Sequence, residues 1–199
     1  ISEVIDAVRQ AVGAPYPVGI RINSTDKLEG GLTTDDAFEV VRLLNNTSVD
    51  LIDISGGTYF PGAASSSDGT SSSGPYFANF AKQAKELTDI PIVVTGGFET
   101  REQVVRALQD GAADAISLGR AIILNPSLAN AWLSDAGGDP EFPVFDAPPR
   151  GGVTAWYSMR LTALGEDNEC QFDLSPADAL EAYEARDVKR CEIWRNRFS

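Results

Sequence analysis

Two short apolar runs near the middle of the chain constrain its fold more than any other feature. They are Pro91-Ile92-Val93-Val94-Thr95-Gly96-Gly97-Phe98 and Ala115-Ile116-Ser117-Leu118-Gly119-Arg120-Ala121. Each stops at glycine, as a buried parallel strand does when it gives way to a loop whose backbone must approach something closely. The segment between them carries helix signals. Thr100 and Gln103 have capping-box spacing, Val104, Val105 and Leu108 form one apolar face, and Gly111 ends it. Strand, Gly-Gly, helix, strand, Gly-Arg is the order in which the last two units of many (β/α)8 barrels hold a phosphate. Backbone N–H groups beside glycine, with one guanidinium, suit an anion held from two sides.

The same alternation runs through the preceding residues. A helix is expected over 1–13, with Ile1, Val4, Ile5, Val8, Ala11 and Val12 on one face and Gly13 as its stop. A strand follows over Pro17–Asn23, carrying Arg21, and then a helix from a Thr33 or Thr34 cap through Leu44. The strand Leu51–Ser55 is closed by Gly56-Gly57 and followed by a Gly/Ser-rich loop up to Gly74. A helix over Pro75–Leu87, with Tyr76, Phe77 and Phe80 in the core, and a short helix over Pro126–Leu133 complete the set. Strands alternating with helices at this interval imply right-handed βαβ units and a parallel sheet.

Four such units fill residues 1–135, whereas a closed eight-unit barrel takes about 250 residues. The expected architecture is therefore α/β, half of a TIM barrel, with residues 136–199 as linker and C-terminal helical tail. In that tail Asp135–Pro140 and Ala147–Gly152 read as linkers. Helices are expected near Ala155–Leu164 and from a Ser175 cap, with Pro176 in its first turn, towards Trp194. Ile1 opens inside an amphipathic helix with no cap before it, so the expectation is a piece of a longer protein.

Composition narrows the chemistry. A net charge of −13 argues against a nucleic-acid partner or an anionic membrane surface, though a local basic site for one phosphate fits inside an acidic envelope. There is no histidine, which excludes histidine acid–base chemistry and histidine metal ligation within these residues. Cys170 and Cys191 have neither metal nor disulfide-framework spacing, so no metal site is assigned and a reducing cytoplasm is the expected compartment.

Five stretches in register resemble the C-terminal half of the old yellow enzyme family of flavoproteins. They are Ile5–Gly13, Val18–Asn23, Leu51–Gly57, Pro91–Phe98, and Leu118-Gly119-Arg120 leading to Asn125-Pro126. Together they span residues 1–133, and Ala155-Trp156-Tyr157 is similar to tails in one branch of that family. The resemblance implies an FMN-dependent NAD(P)H oxidoreductase that reduces activated C=C bonds of α,β-unsaturated carbonyl substrates. It implies Arg21 at the N1–C2=O edge of the isoalloxazine, stabilising negative charge on the reduced ring. Gly96, Gly97, Gly119 and Arg120 would then hold the FMN phosphate, and the loop Gly56–Gly74 would lie over the substrate side. The family's carbonyl-binding pair and tyrosine proton donor lie on a fourth barrel strand, which would precede Ile1. No catalytic residue is assigned here.

Other readings stay open for these residues. The glycines also suit ordinary tight βα loops, Arg120 a surface ion pair, and Arg21 a structural pair with Asp53. Tyr59 and Phe60 read as loop anchors, and Trp156 and Tyr157 as packing the tail onto the barrel or a neighbouring subunit. Another phosphate-binding barrel, of the dihydroorotate-dehydrogenase or isomerase kind, shares the glycine ends without Arg21 and Asn125-Pro126 together. A catalytically silent half-barrel is the alternative of a different class. Half a barrel exposes strand edges at Val18–Asn23 and Ala115–Leu118, and strands apolar along their length would expose an inner face of Val, Ile and Leu. The expected partner is therefore the protein's own N-terminal half or a second copy.

Overall fold

The computed structural model describes residues 1–57 and 74–198. Its centre is a four-stranded sheet in the order β1 (Gly19–Asn23), β2 (Leu51–Ser55), β3 (Ile92–Thr95) and β4 (Ala115–Ser117), every neighbouring pair parallel. The helices α1 (Ser2–Val12), α2 (Thr34–Leu44), α3 (Ala78–Ala84) and α4 (Arg101–Gln109) alternate with the strands as the sequence predicts. Two of the three helices between strands, α2 and α4, start with capping boxes, whereas α3 starts at Phe77 without a side-chain cap. Thr33 caps α2 reciprocally with Asp36, and Thr100 caps α4 with Gln103, whose side chain also accepts from the Glu99 N–H at 2.8 Å.

Strand alternation gives the sheet two unlike faces. Ile22, Ile52, Ile54, Ile92 and Val94 are buried together with Ile5, Val41, Leu44, Phe80 and Ala84, which form the main core. Phe38 stacks on Phe80 with ring centres 4.4 Å apart. The register sets Arg21, Asp53 and Val93 in one row across the opposite face, and Asn23, Ser55, Thr95 and Ser117 in another. This face is mostly polar, which corrects the expectation of an apolar inner face. The runs alternate at Asp53 and Ser55 rather than staying apolar along their length.

The ends of the strands opposite the glycine loops are tied by one device used twice. Asp50, just before β2, accepts the Val18 N–H at 2.7 Å and pairs with Arg9 of α1. Asp114, just before β4, accepts the Ile92 N–H at 2.8 Å and pairs with Lys85 after α3. These contacts hold both carboxyls below the usual carboxylate range. The Val18 N–H and then Arg9 do so for Asp50, Lys85 and then the Ile92 N–H for Asp114.

Several boundaries differ from expectation. α3 is shorter than Pro75–Leu87 at both ends, and just before it the Tyr76 N–H donates to the Gly96 carbonyl, 3.3 Å away. The buried residue of α4 is Ala107, while Leu108 is 40% exposed, so the predicted apolar face is rotated. The segment after β4 forms two helices, α5 (Arg120–Leu124) and α6 (Leu128–Leu133), whose Ala121, Leu128 and Trp132 make a second small core. The stretch 135–140 is pinned: Arg101 pairs with Asp135, donates to the Trp132 carbonyl, and gives its N–H to Asp139 at 2.8 Å. The tail folds as α7 (Gly152–Gly165) against α8 (Pro176–Phe198), the latter capped by Ser175 through the Asp178 N–H. Among the described residues no helix is long and apolar enough to cross a membrane.

Candidate functional site

The C-terminal ends of the four strands, three of them running into glycine, open on a cavity of about 340 Å³. Arg21, Gly96, Gly97, Gly119 and Arg120, far apart in the chain, all line it. The loop expected to cover it, and with it Tyr59 and Phe60, lies outside the described residues.

Gly97 and Gly119 are glycines for different reasons. Gly97 is buried with φ +79°, and a Cβ there would sit 1.8 Å from the Gly74 carbonyl oxygen. The protein itself excludes a side chain. Gly119 is exposed with φ −101°, and a Cβ there would meet no protein atom within 4 Å. No neighbouring atom excludes a side chain at that position, although its ψ of −87° lies outside the usual helical range, and its backbone presents an open face. Next to it, Arg120 makes no hydrogen bond or ion pair among the described residues. Its guanidinium lies 5.9 Å from the centre of the Tyr157 ring.

Arg21 forms the structural pair with Asp53 considered for it and also lines the cavity. Its Nε donates to Asp53 Oδ2 at 2.8 Å and Nη2 approaches the same oxygen at 2.6 Å, so the structural ion pair exists. The side chain is nonetheless 58% exposed, lines the cavity, and keeps Nη1 unengaged among the described residues. Asp53 Oδ1 is buried without a partner among them.

Three lining residues escape a reading of the sequence. Lys27, in the turn after β1, sits 5.9 Å over the Phe77 ring. That turn is fixed by Asp26, which accepts from the Asn23 amide at 2.8 Å and the Leu32 N–H at 2.9 Å. These two bonds, the backbone one first, keep the Asp26 carboxyl below its ordinary value. Glu99 brings an acidic group to the wall, and Phe142 comes from beyond α6. Only topology brings them there, so no local pattern announces them. Tyr76 and Phe77, read as plain core, also face the cavity. The cavity thus collects three cations and one carboxylate within a chain of net charge −13. It is a basic site in an acidic envelope, suited to an anion beside an aromatic or planar group.

The sequence model of the NADH:flavin oxidoreductase / NADH oxidase family matches residues 1–133. The NADH-dependent flavin oxidoreductase iliE of Hypocrea jecorina (strain QM6a) is 35% identical over 134 residues, covering 63% of this chain and 33% of that protein. This chain thus spans about a third of that relative's length. A 2-naphthoyl-CoA reductase solved with 2-naphthoyl-CoA aligns with a TM-score of 0.61 at 26% identity, over 67% of this chain and 20% of that one. Morphinone reductase aligns at 0.50 and 23% identity, over 71% and 35%, a likeness of fold.

Proposed function

The chain belongs to the NADH:flavin oxidoreductase / NADH oxidase family, and on that premise we propose that it carries the flavin-phosphate side of an FMN-dependent NAD(P)H oxidoreductase of the ene-reductase type. FMN and NAD(P)H are the cofactors that go with this family. In this reading residues 1–135 are strands five to eight of a (β/α)8 barrel, and 136–199 are linker and helical tail. The substrate is an α,β-unsaturated carbonyl compound, the compartment the cytoplasm, and the partner the protein's N-terminal half or a second copy. The carbonyl-binding and proton-transfer residues belong to a segment outside this sequence.

One observation carries the proposal: five residues singled out by the sequence converge on one cavity, and one of their two arginines, Arg120, has no counter-ion among the described residues. The donor set fits FMN. Gly119 offers an open backbone face, Arg120 a guanidinium available for charge-assisted bonds to phosphate, and Gly96-Gly97 a turn from the neighbouring strand. Arg21, steadied by Asp53, supplies positive charge at the opposite part of the cavity, where negative charge on a reduced ring would be stabilised. FMN, when bound, supplies hydride transfer between NAD(P)H and substrate.

Titration of the purified chain with FMN, followed by flavin fluorescence, tests the reading. Saturable binding is expected. Arg120→Ala should weaken it by about 1.5–3 kcal/mol, the scale of hydrogen bonds to charged groups, or roughly 10- to 150-fold in Kd. Unchanged affinity in that variant removes the phosphate assignment.

A further inference from the structure

We propose that Tyr157 is a positioning residue for Arg120, which makes the C-terminal helical tail a working part of the anion site; this rests on the phosphate assignment above. Tyr157 lies outside the stretch matched by the family model, on α7, and is only 7% exposed. Its ring lies under the Arg120 guanidinium, 5.9 Å from it to the ring centre. An arginine held by neither hydrogen bond nor ion pair has several rotamers to lose when it meets an anion. A buried aromatic face restricts them beforehand, and it does so without neutralising the charge.

The ring is itself held firmly. One turn along α7, Arg160 Nε donates to the Ile123 carbonyl of α5 at 3.2 Å, which clamps α7 to the helix that begins at Arg120. The Arg160 guanidinium also covers the Trp156 and Phe172 rings, 5.8 and 6.0 Å from their centres. Trp156 packs edge-on against Phe145, Tyr157 and Phe172, and its Nε1 donates to the Leu174 carbonyl at 2.9 Å. The groups whose charge acts on Tyr157 are Arg120, Glu99 and Arg160. Burial pushes its hydroxyl above the ordinary tyrosine value, so the ring stays neutral beside the guanidinium.

The test compares FMN with riboflavin, which is the same ring system without the phosphate. The ratio of their dissociation constants isolates the phosphate contact, and a tail with a merely structural role would weaken both ligands alike. In the unaltered chain FMN is expected to bind more tightly, and Arg120→Ala to abolish that preference. Tyr157→Phe should keep it, because the ring remains. Tyr157→Met should cut it about three- to tenfold, from the loss of the cation–π contact and of the preordered guanidinium. A Tyr157→Met chain that keeps the full preference while Arg120→Ala loses it overturns the proposal and leaves the phosphate site standing. An Arg120→Ala chain with its preference intact, or an unaltered chain with none, overturns the phosphate site and this proposal with it. If Tyr157→Met does not fold, Arg160→Met replaces it, releasing α7 from α5 without touching the cavity. The same partial loss is then expected, and full preference refutes.

Discussion

Replacing Gly97 and Gly119 separately by alanine should separate what the fold needs from what a ligand needs. At Gly97 a methyl group falls 1.8 Å from the Gly74 carbonyl oxygen and 2.7 Å from its carbon. That is about 1.5 Å short of ordinary van der Waals contact, so the Gly74 backbone must move. Left-handed backbone at φ +79° adds a cost of about 1 kcal/mol for a residue with a Cβ. Overpacking of a tight site typically costs about 1–3 kcal/mol more. The expected loss is thus about 2–4 kcal/mol, a large share of the roughly 5–15 kcal/mol that holds a domain together. Urea unfolding followed by circular dichroism reads this as a lowered midpoint with unchanged slope, and melting should fall by several degrees. Gly119→Ala, with no neighbour within 4 Å, carries only the cost of its unusual backbone at φ −101° and ψ −87°, about 1 kcal/mol, so it should be destabilised clearly less than Gly97→Ala while losing FMN affinity. Equal destabilisation in the two variants, or none at Gly97, refutes the reasoning.

Three further outcomes follow from the structure and its sequence. Supplied with FMN, NADPH and a cyclohexenone, the chain alone should show little or no steady-state turnover, since it has no histidine and no assigned proton donor; turnover like that of a full-length relative would falsify this. Asp50 and Asp114 have folded values below the ordinary 3.8, so their contribution to stability is complete above about pH 4 and is lost as pH falls through the folded values. Unfolding measured at pH 7, 4 and 3 should show that drop, flattened in Asp50→Asn and Asp114→Asn; variants that fall as steeply as the parent contradict the assignment. The β1 and β4 edges have no strand partner among the described residues, so light scattering is expected to find a species larger than the 21.3 kDa chain. A well-behaved monomer with one cooperative transition sinks that expectation.

The strand order and helix starts were legible because they rest on local patterns: apolar runs ended by glycine, and Thr33 and Thr100 three residues before a partner side chain. The convergence of Arg21, Gly96, Gly97, Gly119 and Arg120 was legible through parallel topology, which brings the same end of every strand to one side. The start of α5 at Arg120 was hidden, because a Gly-Arg pair after a strand reads as loop. The polar open face has its signal in the alternation of Leu51-Ile52-Asp53-Ile54-Ser55, which the overall apolar character of the runs masks. Arg9 with Asp50, and Lys27 on the cavity wall, join residues tens of positions apart, and no spacing rule reaches that far.

The side of the sheet that the described residues leave open sets terms for whatever comes to lie on it. A cover made of oily side chains would strand the hydroxyls of Ser55 and Ser117 and leave Asp53 Oδ1 unanswered, at a cost of about 1–3 kcal/mol for each group it fails to meet. A fitting cover brings donors of its own, so recognition here is a matter of matching rather than of adhesion. Its docking should weaken with salt, and a counterpart shifted by one residue along the strands should be refused rather than accommodated.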